Sequence, residues 1–280
     1  MKTNKLLLLC CLFILFTRAQ AQSNSCPCTC AGMIKKPAMI VSDDQLISDR
    51  EDAFKKLKGP KLNRTFPQEI ALNLDALKIL FATVPAGASG IRVYFAQENK
   101  GELILLFVPT RTISTGEEDI PGQYQKLTYG VPLATFTSIT NQNDARNLIL
   151  NYKNGFKKDI GALPNVNGHT ISETVSLFYD KKIISEFYEA MTNGCLKDII
   201  KGVSIKFMAY RKGDTVKGFP VDKKILFHFS FKDCNNFPID FNKCVWAPEV
   251  ASAPSRNRSR GGDGDTALPC PDFCNGGIEN

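Results

Sequence analysis

Gly90-Ile-Arg-Val-Tyr-Phe95 and, later in the chain, Val203-Ser-Ile-Lys-Phe-Met-Ala209 are the stretches that decide the fold. In both of them every second side chain is apolar, which is typical of a β-strand with a buried face. Each stretch is followed by a turn and by a second strand-like run, Leu103–Val108 in the first case and Ile225–Phe231 in the second. Because Leu103–Val108 is apolar throughout, we expect both of its faces to be covered. The sequence thus predicts two β-hairpins.

Two amphipathic helices precede each hairpin in the same order. Ile47–Lys58 and Glu69–Thr83 precede the first hairpin, and Ile139–Tyr152 and Lys182–Met191 precede the second. The corresponding positions are Ala53 and Ala145, then Leu77, Leu80 and Phe81 with Ile184, Phe187 and Tyr188, then Ile91–Phe95 with Ile205–Ala209. We therefore predict an α+β fold that is internally duplicated into two helix-helix-hairpin units.

The two hairpins are expected to depend on each other, because a two-stranded hairpin is only marginally stable alone. We predict that they form one shared antiparallel sheet with the helices packed on one face. The connection between the units is expected to add an edge strand around Tyr129–Phe136. The alternative is two separate small domains, which would bury less apolar surface.

The N-terminus has the pattern of a secretory signal peptide. Lys2 and Lys5 precede the apolar run Leu6–Phe16, and Ala19-Gln-Ala21 fits the cleavage site. We therefore expect the protein to be secreted or periplasmic. The predicted segments are 1–21 the signal peptide, 22–42 a cysteine-bearing tether, 43–110 the first repeat, 111–138 the connection, 139–246 the second repeat and 247–280 a flexible linker with a cysteine-bearing tail.

The charge of the chain does not favour a nucleic-acid partner. Loss of residues 1–21 removes three of the positive charges and lowers the net charge from +7 to +4. Basic residues are scattered, apart from one short cluster at Arg256, Arg258 and Arg260. No later segment has the roughly 18 consecutive apolar residues that suggest a transmembrane helix. We expect the partner to be a protein or a small ligand.

The cysteines are the strongest chemical signal in the sequence. The eight that follow the signal peptide are Cys26, Cys28, Cys30, Cys195, Cys234, Cys244, Cys270 and Cys274. An even number in an exported chain favours disulfides, and Cys234 with Cys244 is the predicted local pair. The alternative is a thiolate site for Zn²⁺ or Cu⁺ built from the terminal cysteines, although their spacing is not that of a zinc knuckle.

Catalytic signatures are missing from the sequence. It has no nucleophile elbow, Walker motif or dinucleotide fingerprint. The two histidines are His169, in a predicted loop, and His228, on a predicted strand. We expect His228 to be a hydrogen-bonded sheet residue. A hydrolase whose site forms only in space near His169 or His228 is the alternative.

An acidic cluster at Glu117, Glu118 and Asp119 is a candidate Ca²⁺ site, since Ca²⁺ prefers several oxygen ligands. The competing interpretation is a solvated loop, which we favour. No cofactor is predicted.

Two short motifs carry a resemblance. An exported α+β chain with Gly-Ile-Arg-Val-Tyr-Phe at Gly90–Phe95 and Pro-Cys-Pro-Asp-Phe-Cys at Pro269–Cys274 resembles uncharacterised secreted proteins of Bacteroidota. The resemblance implies a bacterial envelope or extracellular setting. It implies no activity and assigns no functional residues. The resulting hypothesis is an exported, non-catalytic binding or interaction protein, with a ligand site in a cleft between the repeats.

Overall fold

The computed structural model of the protein describes most of the predicted folded body. The described residues are 44–58, 69–98, 102–114, 116–128, 133–160, 173–193, 196–211, 214–216, 219–220, 224–239, 241 and 268–270. The predicted signal peptide, the N-terminal tether and the C-terminal tail except 268–270 lie outside them. Within the described ranges, no helix is both long enough and apolar enough to cross a membrane.

The described residues form the following helices and strands. The helices are α1 (Asp44–Leu57), α2 (Leu74–Ala82), α3 (Gln142–Asn154), α4 (Phe156–Ile160), α5 (Lys181–Thr192) and α6 (Leu196–Ile199). The strands are β1 (Glu69–Leu72), β2 (Gly90–Gln97), β3 (Leu103–Ile113), β4 (Gly116–Asp119), β5 (Tyr124–Thr128), β6 (Thr135–Ile139), β7 (Ser176–Asp180), β8 (Gly202–Ala209), β9 (Thr215–Val216), β10 (Phe219–Pro220), β11 (Ile225–Lys232) and β12 (Leu268–Cys270).

The fold is α+β with antiparallel sheets, as predicted, but the two hairpins do not share a sheet. The hairpin β2–β3 lies in a large sheet of order β12-β7-β2-β3-β5-β6, in which β4 also pairs with β3. The hairpin β8–β11 lies in a small sheet of order β1-β8-β11, while β9 and β10 pair only with each other. The prediction of one shared sheet is therefore wrong.

Each hairpin instead takes its third strand from the other half of the chain. β7 pairs with β2, placing Leu177 opposite Val93, and β1 pairs with β8, placing Ile70 opposite Ile205. Gly90 allows the first of these pairings, because an added Cβ would collide with the backbone and ring of β7. Both hairpins thus gain a neighbour without joining each other, which is the physical reason that the single-sheet prediction fails.

The strand β1 replaces the start of a predicted helix. Sequence periodicity predicts a helix over Glu69–Thr83, yet Glu69–Leu72 is extended and α2 begins only after Asn73. The side chain of Asn73 accepts a hydrogen bond from the backbone N–H of Ala76 at 3.0 Å and thereby caps the helix. The helix therefore begins at Leu74, directly after the residue that caps it.

An aromatic core fills the space between the two sheets. The ring of Phe95 lies 6.4 Å from that of Phe207 and 6.2 Å from that of Phe227, and Tyr179 lies 6.2 Å from Phe227. α2 and α5 pack against each other at one side of this core. Burying each such ring stabilises the fold by roughly 1.5–3 kcal/mol, so these aromatic contacts add substantially to the aliphatic packing between the sheets.

The other face of the large sheet is covered by α3. Ala145 and Ile149 of this helix pack on Tyr94 and Leu106 in a second, smaller core. The prediction that all helices pack on one face is therefore wrong, because α2 and α5 belong to the core on the opposite face. The cause is β3, whose side chains are buried on both faces, as the apolar run predicts.

The predicted connection forms strands of the large sheet. A turn at Pro121-Gly122 joins β4 to β5, and Gly122 has φ 76°, a left-handed conformation that favours glycine. β5 pairs with β3 and β6 pairs with β5, so β6 is the last strand of the sheet among the described residues. The edge strand expected around Tyr129–Phe136 exists, but as Thr135–Ile139; residues 129–132 lie outside the described ranges.

Candidate functional site

A polar groove of about 510 Å³ opens between α3 and the outer strands of the large sheet. The helix contributes Asp144, Asn147, Leu148 and Asn151. These positions share one helix face because side chains three or four residues apart lie above one another. The adjoining face of α3 is buried in the smaller core, and Leu148 lies at the boundary between the two faces.

The sheet side of the groove carries an ion pair and two hydroxyl groups. Lys126 Nζ lies 2.8 Å from Glu98 Oε1, and both side chains are partly exposed. Ser138 and Thr140 are exposed at the edge of the sheet. Amides, hydroxyls, a carboxylate and a compensated ion pair therefore converge on one groove, which can donate and accept many hydrogen bonds.

The end of α3 is fastened to β2, and this fixes the width of the groove. Asn151 Nδ2 donates to the carbonyl of Gln97 at 3.3 Å, and Gln97 Oε1 accepts from the backbone N–H of Phe156 at 3.1 Å. Gly155 lies between these contacts, where an added Cβ would collide with the Gln97 side chain. A side chain at this position would displace Gln97 from its contact with the helix end, so this contact favours glycine.

A smaller cavity of about 190 Å³ lies on the opposite face of the same edge. Its floor is apolar and includes Leu80, Val84 and Phe107, while Gln125 and Ser138 lie at its polar rim. Ser138 Oγ accepts a hydrogen bond from Gln125 Nε2 at 3.0 Å. The groove and the cavity thus flank β6, and Ser138 borders both of them.

A buried ion pair holds the strands that build this edge. Arg92 Nη1 donates to Asp119 Oδ1 at 2.7 Å, and the Tyr94 hydroxyl donates to Asp119 Oδ2 at 2.7 Å. Arg92 and Asp119 are 0% and 3% exposed. Burial and the negative charge of Asp119 raise the pKa of Tyr124 to about 12. The network links β4 to β2 from within the protein and does not face a ligand.

The acidic cluster is divided among separate partners. Asp119 is bonded to Arg92 and Tyr94. Glu117 accepts hydrogen bonds from the hydroxyl groups of Ser89 and Thr112. Glu118 forms an ion pair with Arg111 at 2.6 Å. No group of three metal-ligating side chains occurs among the described residues. The expectation of a solvated loop is wrong, because Glu117–Asp119 belongs to β4 and Asp119 is buried.

His228 lies beside a carboxylate. Its Nε2 is 3.2 Å from Glu51 Oε1, and Lys206 Nζ is 3.4 Å from the same oxygen. Burial alone would raise the pKa of Glu51, but the hydrogen bond with His228 and the positive charge of Lys206 outweigh it and lower that pKa. Within the described part of the chain, no serine or cysteine side chain bonds to His228. His169 lies outside the described residues.

A second buried cluster joins the end of α1 to β11. Lys58 Nζ lies 2.5 Å from Glu173 Oε2, and Glu173 Oε1 accepts from the backbone N–H of Ile225 at 2.7 Å. Burial lowers the pKa of Lys224 to about 8, against the opposing charge of Glu173. Burial also raises the pKa of Tyr152, with Glu173 adding to the effect. Since these side chains are buried, we interpret the cluster as a structural fastening.

The cysteines contribute little to the described structure. Cys234 lies in the turn after β11 and is disulfide-bonded, with a partner outside the described side chains. The pairing with Cys244 therefore stays a prediction. Cys270 ends β12, but its side chain is not described. The remaining candidates, all outside the described residues, are Cys26, Cys28, Cys30, Cys195, Cys244 and Cys274.

Comparisons with known proteins give no relative: no family model, curated protein or solved structure matches the chain. The groove is not predicted from the sequence, although two features of the sequence contribute to it. Asp144, Asn147 and Asn151 are polar residues at helical spacing, and Thr135–Ile139 is a β-rich stretch at the end of the predicted connection. Neither feature identifies the element that packs beside it, because the groove forms only when α3 packs on the sheet.

Proposed function

We propose that this is an exported, non-catalytic binding protein and that the groove between α3 and β6 takes a polar ligand. The groove is the observation that carries the proposal, since it is large enough for a small polar molecule or a peptide side chain. Its side chains suit recognition by hydrogen bonding more than chemistry. The export assignment is supported by the signal-peptide pattern at residues 1–21 and by the resemblance to secreted proteins of Bacteroidota.

The two alternative functions have less support. The hydrolase hypothesis has the contact of His228 with Glu51 in its favour, but Lys206 shares that carboxylate and the three side chains fasten α1 to the small sheet. The metal hypothesis depends on terminal cysteines whose side chains are not described. Neither alternative has a cavity with converging groups among the described residues.

We also propose that the two halves are copies of one unit that have exchanged a strand and a helix. The order strand, helix, hairpin holds for β1-α2-β2-β3 and for β7-α5-β8-β11. Asn73 and Asp180 cap the equivalent helices through their side chains. Each strand of the pair β1 and β7 adds to the hairpin of the other half.

Aromatic stacking supports the same equivalence. Phe54 of α1 stacks on Phe207 at 5.9 Å and 25°, and Tyr152 of α3 stacks on Phe95 at 5.7 Å and 26°. Phe95 and Phe207 hold the same position in β2 and β8, counted from the first glycine of each strand.

This alignment changes two of the sequence matches. Phe54 corresponds to Tyr152, in place of Ala53 to Ala145. Ile91–Phe95 corresponds to residues 203–207, in place of Ile205–Ala209.

The equivalence also places the candidate site. The strands β4, β5 and β6 come from the connection and have no counterpart after β11 among the described residues. The sequence analysis expected a ligand site in a cleft between the repeats. The groove lies instead where the added strands meet α3.

The proposed function is tested by ligand-induced stabilisation of the full chain. The probes are a pool of random-sequence heptapeptides and a panel of neutral oligosaccharides, each followed by thermal unfolding. A ligand at ~100 times its Kd stabilises the folded state by ~2.7 kcal/mol, which raises Tm by roughly 5–10 °C in a chain of this size. We expect at least one probe class to do so.

Two matched variants locate the effect. Asn147→Trp fills the groove and should abolish the shift, whereas Leu150→Trp adds the same ring at an exposed position of the same helix and should retain it. No shift with either probe class, or an equal loss in both variants, would contradict the proposal.

A further inference from the structure

We propose that the ligand is an extended polypeptide that adds to β6 as a further strand of the large sheet. This inference rests on the proposed function, since it names the ligand of the same site. β6 is the last strand of the sheet in the described part of the chain, and Thr135, Thr137 and Ser138 are exposed along it. A strand at a sheet edge presents a row of unpaired backbone N–H and C=O groups.

The backbone of β6 shows which groups face outward. The N–H of Ala134 donates to the carbonyl of Ala71 at 2.8 Å, and the carbonyl of Ala134 accepts from the N–H of Asn73 at 3.0 Å. Both groups point away from β5, which pairs with the other side of β6. Because the direction alternates along a strand, the N–H and C=O of Phe136 and Ser138 also point outward.

This edge already accepts a strand from the chain itself. Leu72 and Ala134 form a parallel bridge that occupies the first outward position. The next outward positions, Phe136 and Ser138, have no backbone partner on that side among the described residues. An added peptide would therefore continue an interface that β1 begins.

Two sequence features that usually protect an edge strand, charged residues and proline, are absent from β6. Its sequence, Thr135-Phe-Thr-Ser-Ile139, has no charged residue and no proline. The opposite edge differs, because β12 covers β7 and brings Pro269 opposite Leu177. One edge of the large sheet is thus paired with β12, whereas at the other edge Phe136 and Ser138 lack an outward backbone partner among the described residues.

The two cavities explain how such a peptide would be selected. Side chains of an added strand alternate between the faces of the sheet. On one face they would meet the 190 Å³ cavity over Leu80, Val84 and Phe107, and on the other the polar groove of 510 Å³ with Asp144 and Asn147. We therefore expect a peptide in which apolar side chains alternate with polar, hydrogen-bond-donating ones.

The first experiment selects and measures the ligand. A phage-displayed library of random dodecapeptides is panned on the full chain, and enriched peptides are synthesised with a fluorescent label for anisotropy titration. Ser138→Pro removes the outward N–H at a position where an edge strand tolerates proline, and Ser138→Ala is the control that loses the same hydroxyl but retains the N–H. Both variants lose the hydroxyl that borders the groove, so the contribution of the N–H is the ratio of their affinities: Ser138→Pro should bind at least about tenfold more weakly than Ser138→Ala.

The second experiment works even if Ser138→Pro fails to fold. Each backbone nitrogen of an enriched peptide is methylated in turn. Because only alternate N–H groups of an added strand face β6, we expect losses of about tenfold or more at every second position and small changes between them.

Four results would overturn the inference: no enriched peptide, losses without a period of two, binding as a helix by circular dichroism, or a β6-dependent dimer of the chain that Ser138→Pro dissociates. Oligosaccharide binding without peptide binding would sink this inference and leave the proposed function standing.

Discussion

The small sheet and the outer strands of the large sheet are built in opposite ways. The small sheet carries an unbroken row of buried side chains toward the aromatic core, and α1 contacts β8 through Phe54 and through the ion pairs of Glu51. The outer strands β5 and β6 expose hydroxyl and amide side chains, and two cavities open beside them. The difference indicates that the small sheet contributes mainly to the stability of the fold, and the outer strands are where we propose that the ligand binds.

The largest expected effect is on stability and comes from the centre of the aromatic core. Phe207→Ala removes a ring that contacts Phe54, Phe95 and Phe227, and we expect it to lower the free energy of unfolding by about 4 kcal/mol. Urea denaturation measures this loss, and ligand binding by the folded fraction should remain unchanged.

Two further variants test the comparison. Phe237→Ala, at a residue that is 66% exposed, should cost less than about 0.5 kcal/mol. Phe95→Ala should cost about as much as Phe207→Ala if the halves are equivalent copies. A loss confined to one of these two rings would argue against the duplication.

The next largest effect is a loss of both stability and ligand affinity. Asp119→Ala leaves Arg92 buried without its carboxylate, and we expect a loss of about 3 kcal/mol. Since β4 leads directly into the turn before β5, ligand affinity should fall as well. Glu118→Ala removes an exposed partner of Arg111 and should cost no more than about 1 kcal/mol. If a folded Asp119→Ala protein binds the ligand with unchanged affinity, the network around Asp119 does not contribute to ligand binding.

The smallest effect depends on pH and belongs to the small sheet. The pKa of Glu51 is lower in the folded protein than its ordinary value of 4.5, so the ionised carboxylate stabilises the fold above that pH. This contribution is lost as the pH falls through the folded pKa. Glu51→Gln should therefore be about 1 kcal/mol less stable at pH 7, with the difference disappearing in acid.

The control for Glu51→Gln is Asp52→Asn, which alters an exposed ion pair with a separation of 3.8 Å and should change the free energy of unfolding at pH 7 by less than about 0.5 kcal/mol. Denaturation curves at a series of pH values measure the difference in free energy of unfolding between Glu51→Gln and the unmodified protein. A difference that persists in acid would show that Glu51 acts through packing and not through its charge.

The sequence predicts the local elements better than their partners. The alternation in Ile91–Phe95 and the run Leu103–Val108 identify β2 and β3 because burial of a strand face is recorded in its own residues. The pairing of β1 with β8 and of β7 with β2 is not recorded in this way. Glu69–Leu72 suits a helix turn or a strand equally well, and its partner β8 lies far along the chain.

The candidate site was harder to predict for the same reason. In the sequence, Asn147 and Asn151 are typical of a solvated helix face, and Thr135–Ile139 is typical of a connection. Only the packing of α3 against the sheet makes them two walls of one groove. In contrast, the sheet role of His228 was predictable, because it lies on the strand face opposite to Phe227 and Phe229 and is hydrogen-bonded to Glu51.

Amide hydrogen exchange at β6 tests the central claim most directly. The N–H groups of Phe136 and Ser138 point outward, whereas those of Thr135, Thr137 and Ile139 face β5. On addition of an enriched peptide, we predict that the Phe136 and Ser138 amides become protected by about tenfold or more, because they pair with the new strand. Exchange at these two amides that is unchanged when the peptide is bound would contradict the account.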